Sequence, residues 1–504
     1  VRAVPSQQED RPAIGERLDG WISNLFPTWG LNRRASRYAA EEAEYLASYR
    51  GAKHTRLGKP AAIQGRSDYH LELTFDRREL VDRARQLERS SWLAESILSR
   101  SVENVMGTGF HLQANTGSDT WNDTAEELWK EWGEREADVR GLSSFHEVMS
   151  LTFRSYLRDG DVGAILLADG KLQSFESDQL SSPNGEPLRR NQVDGIELDR
   201  RGKPTGYNIV TDPDPVNTAV RYQQHTLIPA ESIVFLSRRH RLGQTRGITA
   251  FSGSTWLFDQ IDGNIEAVTV AARMAAAFGL AIKNGRGKFN YSTTEDTSDG
   301  VARPKLVIEP GMIWPLGKDQ SIEQIKPEQP HQQFSGFIED LVRFVAIPFG
   351  LPVELFYNFK NTNFSNHKAA MLQAQKTWRG NQATMVRFAT TVYRWKIVDW
   401  VLSGALPLRE DALKHEFVPP GWMWLDPTKE VQGAMAECDA GLSTWSQKVK
   451  EKGGDFKTLQ EQRAKDNKLM EATGIPLARS SITREVSEPP SDDPGEPPSG
   501  KGDD

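Results

Sequence analysis

FSGFIEDLVRFVAIPFGLPVELFYNFKNTNFSNHKAAMLQAQKTWRGNQATMVRFATTVYRWKIVDW, residues Phe334–Trp400, carries the most telling pattern of this chain. Phe334, Phe337, Ile338, Leu341, Phe344 and Val345 recur at i, i+3, i+4 and i+7, which predicts one apolar helix face. Pro348, Gly350 and Pro352 end that helix, because proline lacks a backbone donor and disfavours helix in the residue before it. A polar and aromatic loop follows: Tyr357, Asn358, Phe359, Lys360, Asn361, Thr362, Asn363, Phe364 and Ser365, with Lys360 its single cation. A second helix is expected from about Asn366, its apolar positions being Ala369, Ala370, Leu372, Ala374, Trp378, Met385, Phe388 and Val392. Periodicity alone is equally compatible with a helical hairpin inside a globular enzyme.

A chain of 504 residues is too long for one compact core. Hydrophobic residues make up 38% and charged residues 26%, the balance of a soluble, rather polar protein. No apolar run approaches the roughly 18 residues of a membrane span; Val268–Ile282 comes nearest and is interrupted by Arg273. The first residues lack the basic start, apolar middle and cleavage site of a secretory leader, and the chain opens on Val1, so a processed or truncated start is the expectation. The lone Cys438 excludes an internal disulfide and a cysteine metal cage, and suits synthesis in a reducing cytoplasm. A net charge of −7 argues against a general DNA-binding surface, where Lys and Arg contacts to phosphate dominate. It suits a passage with few strong contacts, although acidic solubility explains it equally well.

Along the chain, residues 1–75 read as a polar arm with a helix over Ser36–Tyr49. A stronger helical pattern, Leu80, Ala84, Leu87, Trp92, Leu93, Ile97 and Val102, spans Arg77–Val105 and stops at Gly107-Thr108-Gly109. Phe110–Ala114 alternates as a strand. Strands and turns then dominate Phe145–Leu236: Asp161–Leu167 after the Asp159-Gly160 breaker, Val193–Asp199 leading into the turn Arg201–Pro204, Tyr207–Val210, and Pro229–Phe235. A long helix is expected over about Phe251–Leu280, with Trp256, Leu257, Ile261, Ile265, Val268, Ala272, Ala275 and Ala276 on one side. Gly-, Pro- and charge-rich sequence fills residues 283–328, apart from an apolar strand at Lys305–Glu309. Helices resume after Asp426-Pro427, a favourable N-cap and first-turn pair. Ser487–Asp504 has no large apolar residue and is expected to be disordered.

Several of these pieces resemble the lambda-type portal proteins of tailed bacteriophages. The matching elements are the turn Ala346-Ile347-Pro348-Phe349-Gly350-Leu351-Pro352, the loop Thr362-Asn363-Phe364-Ser365, and the Asp194-Gly195-Ile196-Glu197 hairpin running to Gly202-Lys203-Pro204. Arg241-Leu242-Gly243-Gln244-Thr245-Arg246-Gly247 and the Trp424–Glu430 helix entry add to them. Together they cover roughly residues 75–475 in the family's order. The resemblance implies an α+β, predominantly helical portal fold assembled into a ring. It divides the chain into a polar arm (1–75), wing (76–250), first stem helix (251–282), clip (283–328), second stem helix (329–350) and tunnel loop (351–365). A long helix returning to the wing (366–424), a helical crown (425–478) and an acidic, Pro-rich tail (479–504) complete it.

On that resemblance the stem residues are Trp256, Ile261, Ile265, Arg273, Phe337, Leu341 and Phe344. The clip residues for terminase and connector docking are Lys283, Arg286, Lys288, Arg303, Lys305, Trp314 and Lys318. Tyr357–Ser365 would project into the lumen, where Asn side chains and Lys360 touch phosphate transiently and Tyr357, Phe359 and Phe364 supply bulk; those aromatics could instead pack against neighbouring helices. The implied partners are other copies of the chain (a ring of twelve), double-stranded DNA, the terminase large subunit, the major capsid protein or scaffold, and a head-tail connector. The implied location is the portal vertex of the virion, after assembly in the host cytoplasm. A minor head protein without a channel remains the alternative, and a multidomain hydrolase a further one.

The sequence offers only near misses to catalytic motifs, so no enzyme activity, cofactor or metal is expected. His146-Glu147-Val148-Met149-Ser150 begins like a zinc-protease helix but has Ser150 where the second histidine belongs. Gly311–Asp319 imitates a phosphate loop, with five residues between its glycines and Asp319 in place of the magnesium-binding hydroxyl. No Gly-x-Ser-x-Gly elbow is present.

Overall fold

The computed structural model describes residues 69–183, 188–189, 191–211, 224–277, 281–284, 294–296, 303–305, 320–323, 334–355, 364–422 and 427–473. The arm helix expected at Ser36–Tyr49, Tyr357–Asn363 of the loop, most of the clip, and the tail lie outside them. The chain divides into two units, residues 1–426 and 427–504.

The first unit opens with two helices where the sequence predicts one. Helix α1 spans Tyr69–Ser90 and α2 spans Trp92–Met106. The break falls at Ser91, extended at φ −108°, whose hydroxyl accepts from the Ala94 amide and restarts the helix as an N-cap. Strand β1 (His111–Ala114) precedes α3 (Asp119–Arg135) and α4 (Phe145–Asp159). Ser144 and Glu147 form a capping box at the start of α4: Glu147 Oε2 accepts from the Ser144 amide at 2.7 Å and the Ser144 hydroxyl accepts from the Glu147 amide. The acid in the zinc-protease near miss is therefore a helix cap.

Strands β2 (Asp161–Leu166), β3 (Leu172–Glu176), β4 (Leu188–Arg189), β5 (Gln192–Val193), β6 (Ile196–Leu198), β7 (Pro204–Ile209), β8 (Thr226–Pro229) and β9 (Ile233–Ser237) make two antiparallel sheets. One has the order β3-β2-β9 and the other is a meander, β4-β5-β6-β7-β8. The sequence reading of Val193–Asp199 as one strand is corrected here. Asp194 (φ 43°) and Gly195 (φ 91°) form the turn between β5 and β6, because two successive positive φ values suit a tight hairpin and Asp-Gly tolerates them. Pro229–Phe235 likewise divides, with a 3-10 turn at Ala230–Ser232 before β9.

Helix α5 runs Thr255–Ala277, entered through a 3-10 turn at Ala250–Gly253. Ala281 and Ile282, expected at the end of that helix, belong instead to β10 (Ala281–Asn284). The insert then holds β11 (Thr294–Asp296), β12 (Arg303–Lys305) and β13 (Gln320–Glu323), paired β10 with β13 and β11 with β12. Helix α6 spans Phe334–Ala346, α7 spans Phe364–Leu402, and β14 (His415–Val418) closes the unit by pairing with β1.

The core gathers around Trp129 of α3, whose ring lies 5.1 Å from Phe145, 5.6 Å from Tyr393 and 5.6 Å from Phe417. Elements from the start, middle and end of the unit thus meet at one indole, which supplies a large apolar surface with defined edge contacts. Lys396 is buried beside it, its Nζ 2.7 Å from Asp399 and within 5.5–5.7 Å of the Trp132, Trp395 and Trp400 rings. An ion pair and aromatic faces together compensate the burial of that ammonium.

The described residues of the second unit form α8 (Pro427–Asp439), α9 (Trp445–Glu451) and α10 (Phe456–Thr473). Thr444 caps α9, and Lys448 pairs with Glu437 and Glu451. None of these helices buries a residue.

Candidate channel-wall helices

Helix α5 begins anchored and becomes open. Leu257, Phe258 and Ile261 are buried, and Phe251 ties the helix entrance to Phe349 at 4.8 Å between ring centres. From Asp262 to Arg273 no residue is buried. Asp259, Asp262 and Glu266 stand at i, i+3 and i+7 on the open side; partial burial and the charge of Asp259 push the Asp262 carboxyl up.

Helix α6 packs beside it with Ile338, Val342, Val345 and Ala346 buried. The single face expected from periodicity is in fact two. Phe337 is 50% exposed and Phe344 is 56% exposed, with the half-buried Leu341 between them. A helix apolar on two sides needs a neighbour on each. Together α5 and α6 carry five carboxylates (Asp259, Asp262, Glu266, Glu339, Asp340) and two cations, Arg273 and Arg343. Arg343 is moreover occupied by Asp340 at 3.2 Å. Such a surface does not hold phosphate.

The turn after α6 explains its own sequence. Ile347–Phe349 is a 3-10 turn with Pro348 in its first positions, where no amide donor is needed. Gly350 adopts φ 61°, and a Cβ there would lie 2.6 Å from Thr377 Oγ1 on α7. Only glycine meets both the left-handed backbone and the close approach. Helix α7 starts at Phe364, two residues before the expectation, so Phe364 and Ser365 belong to the helix and not to the loop. Trp378, Met385, Phe388, Val392 and Tyr393 then carry α7 through the core, fully buried.

The region of the two sheets is fixed by a buried ionic rivet. All five Arg246 N–H groups are used: Nε donates to Asp161 Oδ2 at 2.7 Å, and the others reach Asp161 Oδ1, Ser177 O, Leu180 O and Asp194 O. Arg77 of α1 pairs with Asp194 from the other side. Burial alone would raise the Asp161 carboxyl, but Arg246 and Arg77 more than reverse that and hold it below the ordinary value. Gly247 is required because a Cβ there would overlap the Gly160 carbonyl oxygen at 1.9 Å, while its amide donates to Asp161 at 3.0 Å. A second arginine pair extends the network, Arg85 and Arg158 both gripping the buried Asp159.

The profile of phage portal proteins of the lambda family matches residues 63–382, from α1 into α7. The chain belongs to that family. It is similar to the probable portal protein of Halomonas phage phiHAP-1, 23% identical over 497 residues that cover 91% of this chain and 94% of that one. It is also similar to portal protein B of Escherichia phage lambda, 20% identical over 451 residues, covering 78% of this chain and 84% of that one. Among solved structures, a chain from the neck of a native GTA particle computed with C12 symmetry shows 14% identity and a TM-score of 0.38, covering 73% of this chain and 91% of that one. The chain is thus a portal protein with an α+β, mostly helical fold, a subunit of a multimeric ring in the phage head at the portal vertex.

In this portal subunit, Ile261 is buried, Ile265 half-buried, and Trp256 and Arg273 exposed. Lys283 lies on β10, and Arg303 and Lys305 lie on β12. Arg286, Lys288, Trp314 and Lys318 fall outside the described residues, as do Tyr357–Asn363. Sequence reasoning singled out the Arg241–Gly247 motif but not its partners Asp161 and Asp194. Those lie 85 and 52 residues away, and no local pattern joins them. The tryptophan-rich helix α3 was missed too, although Trp121, Ala125, Trp129 and Trp132 recur at helical spacing.

Proposed function

We propose that twelve copies, the number the family implies, close a ring with α5 and α6 as its stem and a lumen that passes double-stranded DNA during packaging and ejection. The observation that carries this reading is the exposed apolar pair on α6, Phe337 and Phe344, left open by the subunit's own core while Leu341 between them packs partly against it. Rings close through heterologous contacts, in which one face of a subunit meets a different face of the next, and such a ridge is the kind of surface they use. The acidic stem supports a conduit: phosphates slide past a wall that does not bind them. Tyr357–Asn363, the loop that precedes α7, supplies the transient lumen contact. The insert carrying Lys283, Arg286, Lys288, Arg303, Lys305, Trp314 and Lys318 forms the clip, which docks the terminase large subunit and later the head-tail connector. The major capsid protein or scaffold is the further partner that the family implies. The protein hydrolyses nothing itself.

Negative-stain imaging and native mass measurement of the purified protein test the ring directly. Rings of about twelve subunits with a central hole are expected; monomers or dimers at every concentration and salt would refute it. Lys360→Glu tests the lumen contact. Rings of normal size whose procapsids package less DNA are expected, since repulsion of about 1 kcal/mol or less per contact is multiplied around the ring. Packaging like the parent's would remove the loop from the lumen.

A further inference from the structure

Among the described residues of the first unit, most arginines around the two sheets answer a carboxylate: Arg77, Arg85, Arg154, Arg158 and Arg246 all do. The segment after β9 breaks that rule. Residues 238–241 read Arg-Arg-His-Arg in a chain with more acids than bases. Arg238 and Arg239 form no ion pair with a described carboxylate, and the Arg238 side chain makes its one hydrogen bond with His240 Nε2, at 3.3 Å. Arg387 on α7 is exposed and also makes no ion pair with a described carboxylate. Helix α7 lies against β9, the strand that the arginine segment leaves, and the charges of Arg238, Arg387 and Arg239 all act on the Tyr156 phenol of α4. Burial draws the Arg238 guanidinium down from its ordinary value, and no carboxylate offsets it.

This cluster sits on a built loop. The Arg238 amide donates to Gly160 O at 2.7 Å, and the Ile248 amide donates to Arg238 O at 3.1 Å. Gln244 Oε1 accepts from the His240 amide at 2.7 Å, and its Nε2 donates to Arg246 O at 2.7 Å. Arg246 is itself locked to Asp161. The loop's shape therefore owes nothing to a ligand, and its crest at Leu242-Gly243 is fully open. Arg238 is half-buried with no described carboxylate beside it, while Arg239 and Arg387 are exposed to whatever approaches, so an anion from outside gains most at Arg238 and meets two further cations beside it. Phosphate suits them best, because a planar guanidinium offers paired donors to its oxygens. Several cations along one loop suit a row of phosphates better than a single ion.

We propose that Arg238, Arg239, His240 and Arg387 form a contact for the phosphate backbone of duplex DNA, additional to the Tyr357–Asn363 loop. The proposal rests on the portal reading for the presence of DNA, and it gives the subunit a place that holds DNA beside a stem that does not. A covalently closed circular duplex cannot thread a closed ring, so its binding reports surfaces outside the lumen. Fluorescence anisotropy with a labelled closed circle, titrated with assembled rings between about 50 and 200 mM salt, tests it. The parent is expected to bind with strong salt dependence. An R239Q/R387Q double variant is expected to form rings of parental size and melting temperature, bind about tenfold or more weakly, and lose roughly 0.9 from the log–log salt slope per contact removed.

Equal affinity and slope for parent and variant would overturn the proposal. So would displacement of the circle by polyglutamate of matched charge concentration, which would make the partner an acidic protein segment. Failure of the variant to close rings would turn the cluster into a subunit interface and overturn it equally. Rings that package DNA but never bind the circle would overturn this contact and leave the channel reading standing.

Discussion

Phe344→Asp should stop ring closure while leaving the subunit folded. A phenylalanine side chain presents on the order of 200 Å². At 56% exposure, about 110 Å² of Phe344 is therefore available to a neighbour. At about 25 cal/mol per Å², covering it contributes about 3 kcal/mol to each interface, roughly a hundredfold in the contact's equilibrium constant. A buried aspartate adds a desolvation penalty on top of that loss. Because every subunit donates the same face, the deficit recurs at every junction of the ring. Inside the subunit about 90 Å² of the ring is already covered, so folding should lose about 2 kcal/mol, which the subunit's core can absorb. Sedimentation and native mass measurement across a concentration series provide the assay, with thermal melting of dissociated subunits as the folding control. Rings assembling at the parent's concentration would refute the assignment of this ridge to a neighbour. Loss of folding in the isolated subunit would show that Phe344 belongs to the subunit's own core.

Arg246→Met should destabilise the region of the two sheets by about 3–5 kcal/mol, because it strands the buried Asp161 carboxylate; adding Asp161→Asn should return part of that, and hydrogen exchange at β2 amides reads both. Asp161 and Asp178 both titrate below their ordinary value of 3.8 in the folded protein; burial alone would raise each, but Arg246 and Arg85 respectively outweigh it. Their stabilisation is thus fully present above about pH 4 and disappears as the pH falls through the folded values, so tryptophan fluorescence should show this region opening in acid, at higher pH in Asp178→Asn. Gly350→Ala should cost about 1–3 kcal/mol through the left-handed backbone and the clash with Thr377, read as a lowered melting temperature. A melting temperature equal to the parent's would mean the turn relaxes.

Short-range patterns were the legible part. The α6 turn could be placed from Pro348 and Gly350 alone, since both act through their own backbone. Helices α5, α6 and the long α7 followed from spacing, with ends shifted by a few residues. The exposed half of α6 escaped because periodicity registers apolar positions without saying which neighbour covers them: Ile338 and Phe337 look alike in sequence, and one is buried while the other is open. The break at Ser91 was hidden within a continuous apolar pattern, since an N-cap signal of one hydroxyl is weak beside seven apolar positions. The rivet was illegible for a different reason. Asp161, Asp194 and Arg246 are each an ordinary charged residue until the two sheets bring them together.

The distribution of firmness in the first unit follows from these same interactions. Around Asp159, Asp161 and Arg246, carboxylates and guanidinium groups are withdrawn from water, and each is held by several partners. Removing one member leaves a charge stranded, so this region keeps a single arrangement. Helix α5 beyond Ile261 has the opposite character, with an acidic open side, no buried residue from Asp262 to Arg273, and α6 as the neighbouring helix. An isolated subunit therefore has many buried contacts around its two sheets and few along α5 beyond Ile261. In the ring proposed above, covering the Phe337–Phe344 ridge would supply α5 and α6 with the apolar contact they lack, once per junction. Order in these two helices and closure of the ring would then be one event, and a wall built so would gain its rigidity only when the ring is complete.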